Sequence, residues 1–133
     1  IAGDPEGFVR LILNGLADQP VAYHPAAMEA YLTANATPEA VTAMCECFRA
    51  GFHIDQVHDA EDRRTGTRIT APTLGMWGER GVVGKHFDVE RIWRDWCVDV
   101  AFAPMPSGHF IPEEAPEAAL SALEPFLSTH RTG

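Results

Sequence analysis

The sequence predicts an α/β protein whose first half is helical and whose second half repeats strand, helix, strand, helix. Three observations carry this. Up to about residue 65 the apolar residues recur at helical spacing between capping residues and prolines. At Ile69 the character changes, and Ala71-Pro-Thr-Leu-Gly-Met-Trp-Gly78 reads as a buried strand with proline at its start and glycine at its end. A second apolar run, Val100 to Met105, lies between two stretches of helical pattern.

The first helix starts at Asp4-Pro5, with Asp4 as N-cap and Pro5 in the first turn. Phe8, Val9, Leu11, Ile12, Leu13 and Leu16 make it apolar over most of its circumference, so it is expected to be covered on more than one side. His24-Pro25 opens a second helix that should end near Asn35. Thr37 caps a third, whose stripe is Val41, Met44, Cys45, Phe48 and Phe52. Asp55 to Arg64 is strongly charged and reads as a solvated helical face, closed by a turn around Gly66. After the first strand, Glu79 to His86 reads as a Gly-rich loop. Phe87 to Val98 then forms a helix with Val89, Ile92, Trp93 and Trp96 on one side, and a last helix runs from Pro116 to about Leu127.

Two parallel strands do not make a stable sheet, because such strands are buried by helices on both faces and flanked by further strands. The expectation is therefore the carboxyl-terminal part of a larger α/β protein, divided at 1–65 and 66–133. Ile1-Ala-Gly-Asp4 is not an initiator sequence, which suggests a processed start or a piece of something longer.

Composition narrows the function. Ten Lys and Arg stand against nineteen Asp and Glu, a net charge of −9 that argues against nucleic acid or an anionic membrane as partner. A small anionic substrate needs only one or two local cations. No apolar run could cross a bilayer and no secretory signal is visible. Cys45, Cys47 and Cys97 have neither disulfide nor zinc spacing, so reduced thiols in a cytoplasmic protein are expected.

Pro104-Met-Pro-Ser-Gly-His-Phe-Ile-Pro-Glu-Glu-Ala-Pro116 carries the chemistry. It places His109 on a strand-to-helix loop, where open α/β sheets hold their reactive groups. An imidazole there can accept a proton from water. Gly108 is read as permitting a tight turn, and Phe110, Ile111 and Pro112 as anchoring the loop. An ordinary surface histidine has the same local sequence; the rest of the chain favours the catalytic role.

Four segments, Met44-Cys-Glu-Cys-Phe-Arg-Ala-Gly51, His58-Asp59, Ala71 to Gly78 and Ser107-Gly-His-Phe-Ile-Pro-Glu-Glu-Ala-Pro116, resemble the carboxyl-terminal part of an α/β-hydrolase, most closely the haloacetate (fluoroacetate) dehalogenases. The resemblance implies a helical cap segment over 1–65, followed by the last two parallel strands and their helices over 66–133. It implies an aspartate nucleophile that displaces halide and forms an ester, with His109 as the base for ester hydrolysis. No Gly-x-Asp or Gly-x-Ser elbow occurs in these residues, so nucleophile and triad acid are expected on a segment upstream. Gly81 occupies the place where many α/β-hydrolases carry their acid, and Glu79 is the fallback. The resemblance implies a halide pocket with a tyrosine and a tryptophan as donors. Phe48 stands at the tyrosine position and Leu16 near the tryptophan position, so these are the expected substrate-binding residues. Losing both donors would weaken stabilisation of fluoride most, favouring chloride or bromide.

Other residues are assigned to packing or solvent. Trp77, Trp93 and Trp96 read as core, as do Tyr23 and Tyr31. His53, Asp55, His58 and Asp59 read as a solvated helix rather than a metal site. Arg49 pairs with a carboxylate or reaches the substrate. No cofactor and no metal are expected. The expected partners are a small-molecule substrate and either a complementary amino-terminal hydrolase segment or a second copy of the chain, because the upstream strand would expose a long apolar edge. Alone, the chain is expected to be inactive. The alternatives are a non-catalytic truncated fragment, or another α/β-hydrolase chemistry such as that of an epoxide hydrolase or an esterase.

Overall fold

The computed structural model describes residues 3–20 and 23–130. Ile1 and Ala2, at the unusual start noted above, lie outside the described residues. The chain divides into two compact units, Ile1–Gly15 with Ala22–Thr67 and Leu16–Val21 with Arg68–Gly133.

The helical unit is built on local capping. Helix α1, Pro5–Leu16, begins where the Gly7 N–H donates to Asp4 Oδ1 at 2.8 Å. It runs unbroken through Asn14-Gly15. Only Val9 and Leu13 of its apolar set are buried, and Leu11 remains 67% exposed, so the expectation of cover on several sides is not met. Tyr23 donates to the Leu13 carbonyl at 2.8 Å, in keeping with a structural tyrosine. Helix α2, Pro25–Ala34, is capped by His24, whose Nδ1 accepts the Ala26 N–H. Helix α3, Pro38–Phe52, starts with Thr37 Oγ1 accepting the Ala40 N–H at 3.2 Å, as its sequence predicts. Of its expected stripe only Val41 is buried, and Phe52 is 73% exposed. Helix α4, Ile54–Thr65, is solvated almost throughout and closes on Gly66 in the left-handed region, φ 72°, which glycine adopts without a Cβ penalty.

In the second unit, strand β1, Thr73–Gly78, leads to a short helix α5, Val82–His86, where the sequence had suggested only a Gly-rich loop. Gly84 makes that turn of helix possible: a Cβ there would lie 2.6 Å from the Gly78 carbonyl oxygen. Helix α6, Val89–Trp96, is capped by Asp88, and strand β2, Val100–Met105, pairs with β1 in parallel from Thr73↔Val100 to Gly78↔Met105. Pro104 is tolerated because, among the described residues, β2 pairs on one side only. Among the described residues β1 likewise has no second neighbour. The short helix α7, Ile111–Glu114, precedes α8, Pro116–Thr129, which continues through Pro125 beyond the expected end.

Cys97 and Met105 are the most buried apolar side chains of this unit. Arg68 donates to the carbonyls of Arg94 and Cys97, tying off the end of α6. Trp77 meets Phe102 edge to face at 6.1 Å, and Gly75 leaves room for that ring. Trp93, expected in the core, is 40% exposed among the described residues. No described helix is long and apolar enough to cross a membrane.

Candidate active site

His109 sits on the loop joining β2 to α7, beyond the carboxyl end of the parallel pair. Its placement follows from the strand above it. The Glu79 N–H donates to the Met105 carbonyl and the Arg80 N–H to the Ser107 carbonyl, both at 3.0 Å, so the loops after the two strands are laced together. Ser107 is fully buried beneath them.

Glycines set the spacing. A Cβ on Gly78 would overlap the Gly108 carbonyl oxygen, and one on Gly81 would come within 3.0 Å of the Gly108 carbonyl carbon and 3.3 Å of the His109 nitrogen. Gly108 itself lies within the backbone bend over 106–109 and has no positive φ. It is needed because a side chain there would run into the Asp18 amide and, at 2.9 Å, both carboxylate oxygens of Glu114.

Glu114 is the residue the sequence did not single out. Its Oε2 accepts the N–H of Gly108 at 2.8 Å and of Asp18 at 2.9 Å, and its Oε1 accepts the N–H of Phe110 at 2.9 Å. Phe110 is the N-cap of α7, and its carbonyl accepts the Glu114 N–H, so the exchange is reciprocal, as in a capping box one position longer. Burial pushes the Glu114 carboxyl up. The three backbone donors from Asp18, Gly108 and Phe110, together with the Arg80 guanidinium, outweigh it and hold the group below the ordinary glutamate value of 4.5. Arg80 also pairs with Asp18 at 2.7 Å and donates to the Pro106 carbonyl.

The His109 N–H donates to the Leu16 carbonyl at 3.2 Å, and the Phe110 ring stands edge-on to the imidazole at 5.0 Å. The imidazole is exposed and opens on a recess of about 150 Å³ lined by Met76, Trp77, Val83 and Ile111. Trp77, read as pure core, therefore also lines the site; its place at the carboxyl end of a parallel strand is the signal that could have shown it.

The structure thus brings Leu16 and His109 together through the backbone. Phe48 lies on α3 in the helical unit, 66% exposed. Arg49 pairs with Glu46 on the same helix. Glu79 is exposed at the turn after β1. Glu114 faces amide hydrogens with both oxygens, which marks it as a backbone anchor rather than a partner of the imidazole. No group of metal-ligating side chains forms among the described residues.

No protein-family model matches the chain. Over its whole length it is 30% identical to a fluoroacetate dehalogenase from a Burkholderia species, covering 43% of that protein. Among solved structures, a protein from Nostoc sp. PCC 7120 described as an α/β-hydrolase aligns with 98% of the chain at 38% identity and a TM-score of 0.88, the match spanning 44% of that protein. One from Pseudomonas aeruginosa described as an epoxide hydrolase aligns at 37% identity and a TM-score of 0.88, again over 98% of this chain and 44% of that one. The chain spans less than half the length of these relatives. The parallel strand pair, its helices and the histidine loop are those of the carboxyl-terminal part of an α/β-hydrolase. Within that superfamily its similarity extends to the fluoroacetate dehalogenase, at 30% identity over the whole of this chain.

Proposed function

We propose that this chain supplies the histidine-bearing part of a hydrolase that displaces halide from a small haloacid such as chloroacetate. The observation that supports this best is His109 itself, with its main chain tied on both sides, opening on a recess of about 150 Å³ walled by Trp77, Val83 and Ile111. That volume suits a substrate of a few heavy atoms.

An aspartate carboxylate on an upstream segment attacks the carbon that bears the halogen. A C–O bond forms as the carbon–halogen bond breaks, and the electron pair leaves with the halide. A water molecule then adds to the ester carbonyl while His109 takes one of its protons. Collapse frees hydroxyacetate, whose oxygen receives the proton from His109, and the restored carboxyl loses the other proton to solvent. The triad acid also comes from outside these residues, because Gly81 has no side chain and both Glu114 oxygens are occupied by amides; Glu79, exposed at the turn after β1, is the fallback.

Residues 1–65 act as a helical cap, with Phe48 and Leu16 as substrate-binding positions. Phe48 cannot donate a hydrogen bond to a departing halide, so chloride and bromide leave more readily than fluoride. It cannot serve as an acid either, which counts against epoxide opening despite the likeness to the Pseudomonas protein. The open edge of β1 is the docking line for a complementary amino-terminal segment or a second copy.

The test is halide release from chloroacetate and fluoroacetate, run beside native mass spectrometry of the same material. The proposal expects release from chloroacetate only where a completing polypeptide is present, faster than from fluoroacetate, with Phe48→Tyr narrowing the gap. Release from neither haloacid by the completed protein would refute it.

A further inference from the structure

We propose that Glu114 is the positioning residue for His109, and that Arg80 supports it by holding Asp18. This rests on the hydrolase reading above and adds to it a residue that acts through the main chain.

Three consecutive amides, at 108, 109 and 110, carry the imidazole, and every one is engaged. Gly108 and Phe110 donate to the two different oxygens of Glu114, at 2.8 and 2.9 Å, so a single carboxylate straddles the Cα of His109. Between them the His109 N–H donates to the Leu16 carbonyl at 3.2 Å. The same carboxylate takes the Asp18 N–H at 2.9 Å, and thereby fixes the segment that offers the Leu16 carbonyl. Asp18 is held a second time by Arg80, whose guanidinium reaches back to the Pro106 carbonyl on the histidine loop. The ring closes: residues 16–18, the loop at 106–110 and Glu114 fix one another. What remains free is the rotation of the imidazole about its own side-chain bonds, bounded by the Phe110 ring at 5.0 Å.

A base that must meet one water at one ester carbonyl is sensitive to displacement, and a shift of about 1 Å can cost up to about a hundredfold in rate. Halide displacement by the upstream carboxylate does not use His109. Loosening Glu114 therefore slows one of the two chemical steps selectively, which a general loss of structure would not do.

The experiment is pre-steady-state halide release from chloroacetate by the completed protein carrying Glu114→Gln, with His109→Ala and Arg80→Ala alongside and circular dichroism as the check on folding. For Glu114→Gln the expected result is a halide burst of one equivalent, followed by a steady rate about tenfold below the parent, with KM not raised. A steady rate equal to the parent in a folded variant overturns the proposal. Should Glu114→Gln fail to fold, Arg80→Ala decides, since that side chain is 53% exposed and its polar contacts are to Asp18 and the Pro106 carbonyl rather than to either strand. It should keep the burst and lose about threefold in the steady rate; no loss overturns the proposal. The hydrolase reading fails separately. If His109→Ala shows no burst-and-stall behaviour, the role of His109 is wrong, whereas a stall in His109→Ala without one in the folded positioning variants sinks this inference alone.

Discussion

The histidine loop and the α3–α4 pair differ in how much of their structure this chain supplies. At the loop, the amides from 108 to 110 have partners within residues 16–18 and 105–114, Ser107 is fully buried, and glycines stand where backbone meets backbone. In the α3–α4 pair, Phe48, Phe52, Ile54 and Val57 are all at least half exposed and one side chain, Val41, is buried. The hydrogen bonds there are short-range, from Arg49 to Glu46 and from Arg64 to Glu61. The first region is held by specific polar geometry, the second by helix propensity and surface pairs that contribute little. Polar networks are satisfied locally or not at all, whereas apolar faces can wait for a partner.

The sharpest break in this contrast is Gly78→Ala. A methyl group at that position would strike the Gly108 carbonyl and lie 2.7 Å from the Ser107 oxygen, and neither backbone atom can step aside without opening the loop. The expected loss is about 3 kcal/mol, read by denaturant unfolding. Glu114→Ala comes next, at about 2 kcal/mol, because three half-buried N–H groups lose their acceptor and water recovers only part of the loss. The pH dependence follows from the same contacts. The folded state holds the Glu114 carboxyl below its unfolded value of 4.5, so its contribution is complete above that pH and is lost as the pH falls through the depressed folded value. An acid titration of stability should therefore show a loss below about pH 4.5 in the parent that is reduced in Glu114→Gln. Phe52→Ala is the mildest change, within about 0.5 kcal/mol for a side chain that is 73% exposed. A cost of about 2 kcal/mol or more would mean that this face is covered, and would erase the difference between the two regions.

What could be read from the sequence follows the same division. Asp4 and Thr37 announce their helices because a cap depends on residues two or three positions away. The two strands and the loop position of His109 are legible because period and punctuation are local too. Glu114 is not, since the Asp18 amide it accepts is 96 residues distant and nothing in Glu113-Glu114 says which carboxylate turns back. Gly108 is legible as part of the bend it sits in, whereas the close approach of Asp18, which also requires a glycine there, is not. Trp93 and the apolar rims of α1 and α3 read as core because periodicity reports which face is apolar and is silent on whether this chain covers it.

The most direct test of the account is the intact mass of the completed protein carrying His109→Ala after exposure to chloroacetate. The account predicts a stable covalent adduct of carboxymethyl mass, formed because halide can still be displaced while the ester has no base to direct water onto it. A protein of unchanged mass that has nonetheless released halide over many turnovers would contradict it, and would remove His109 from the chemistry.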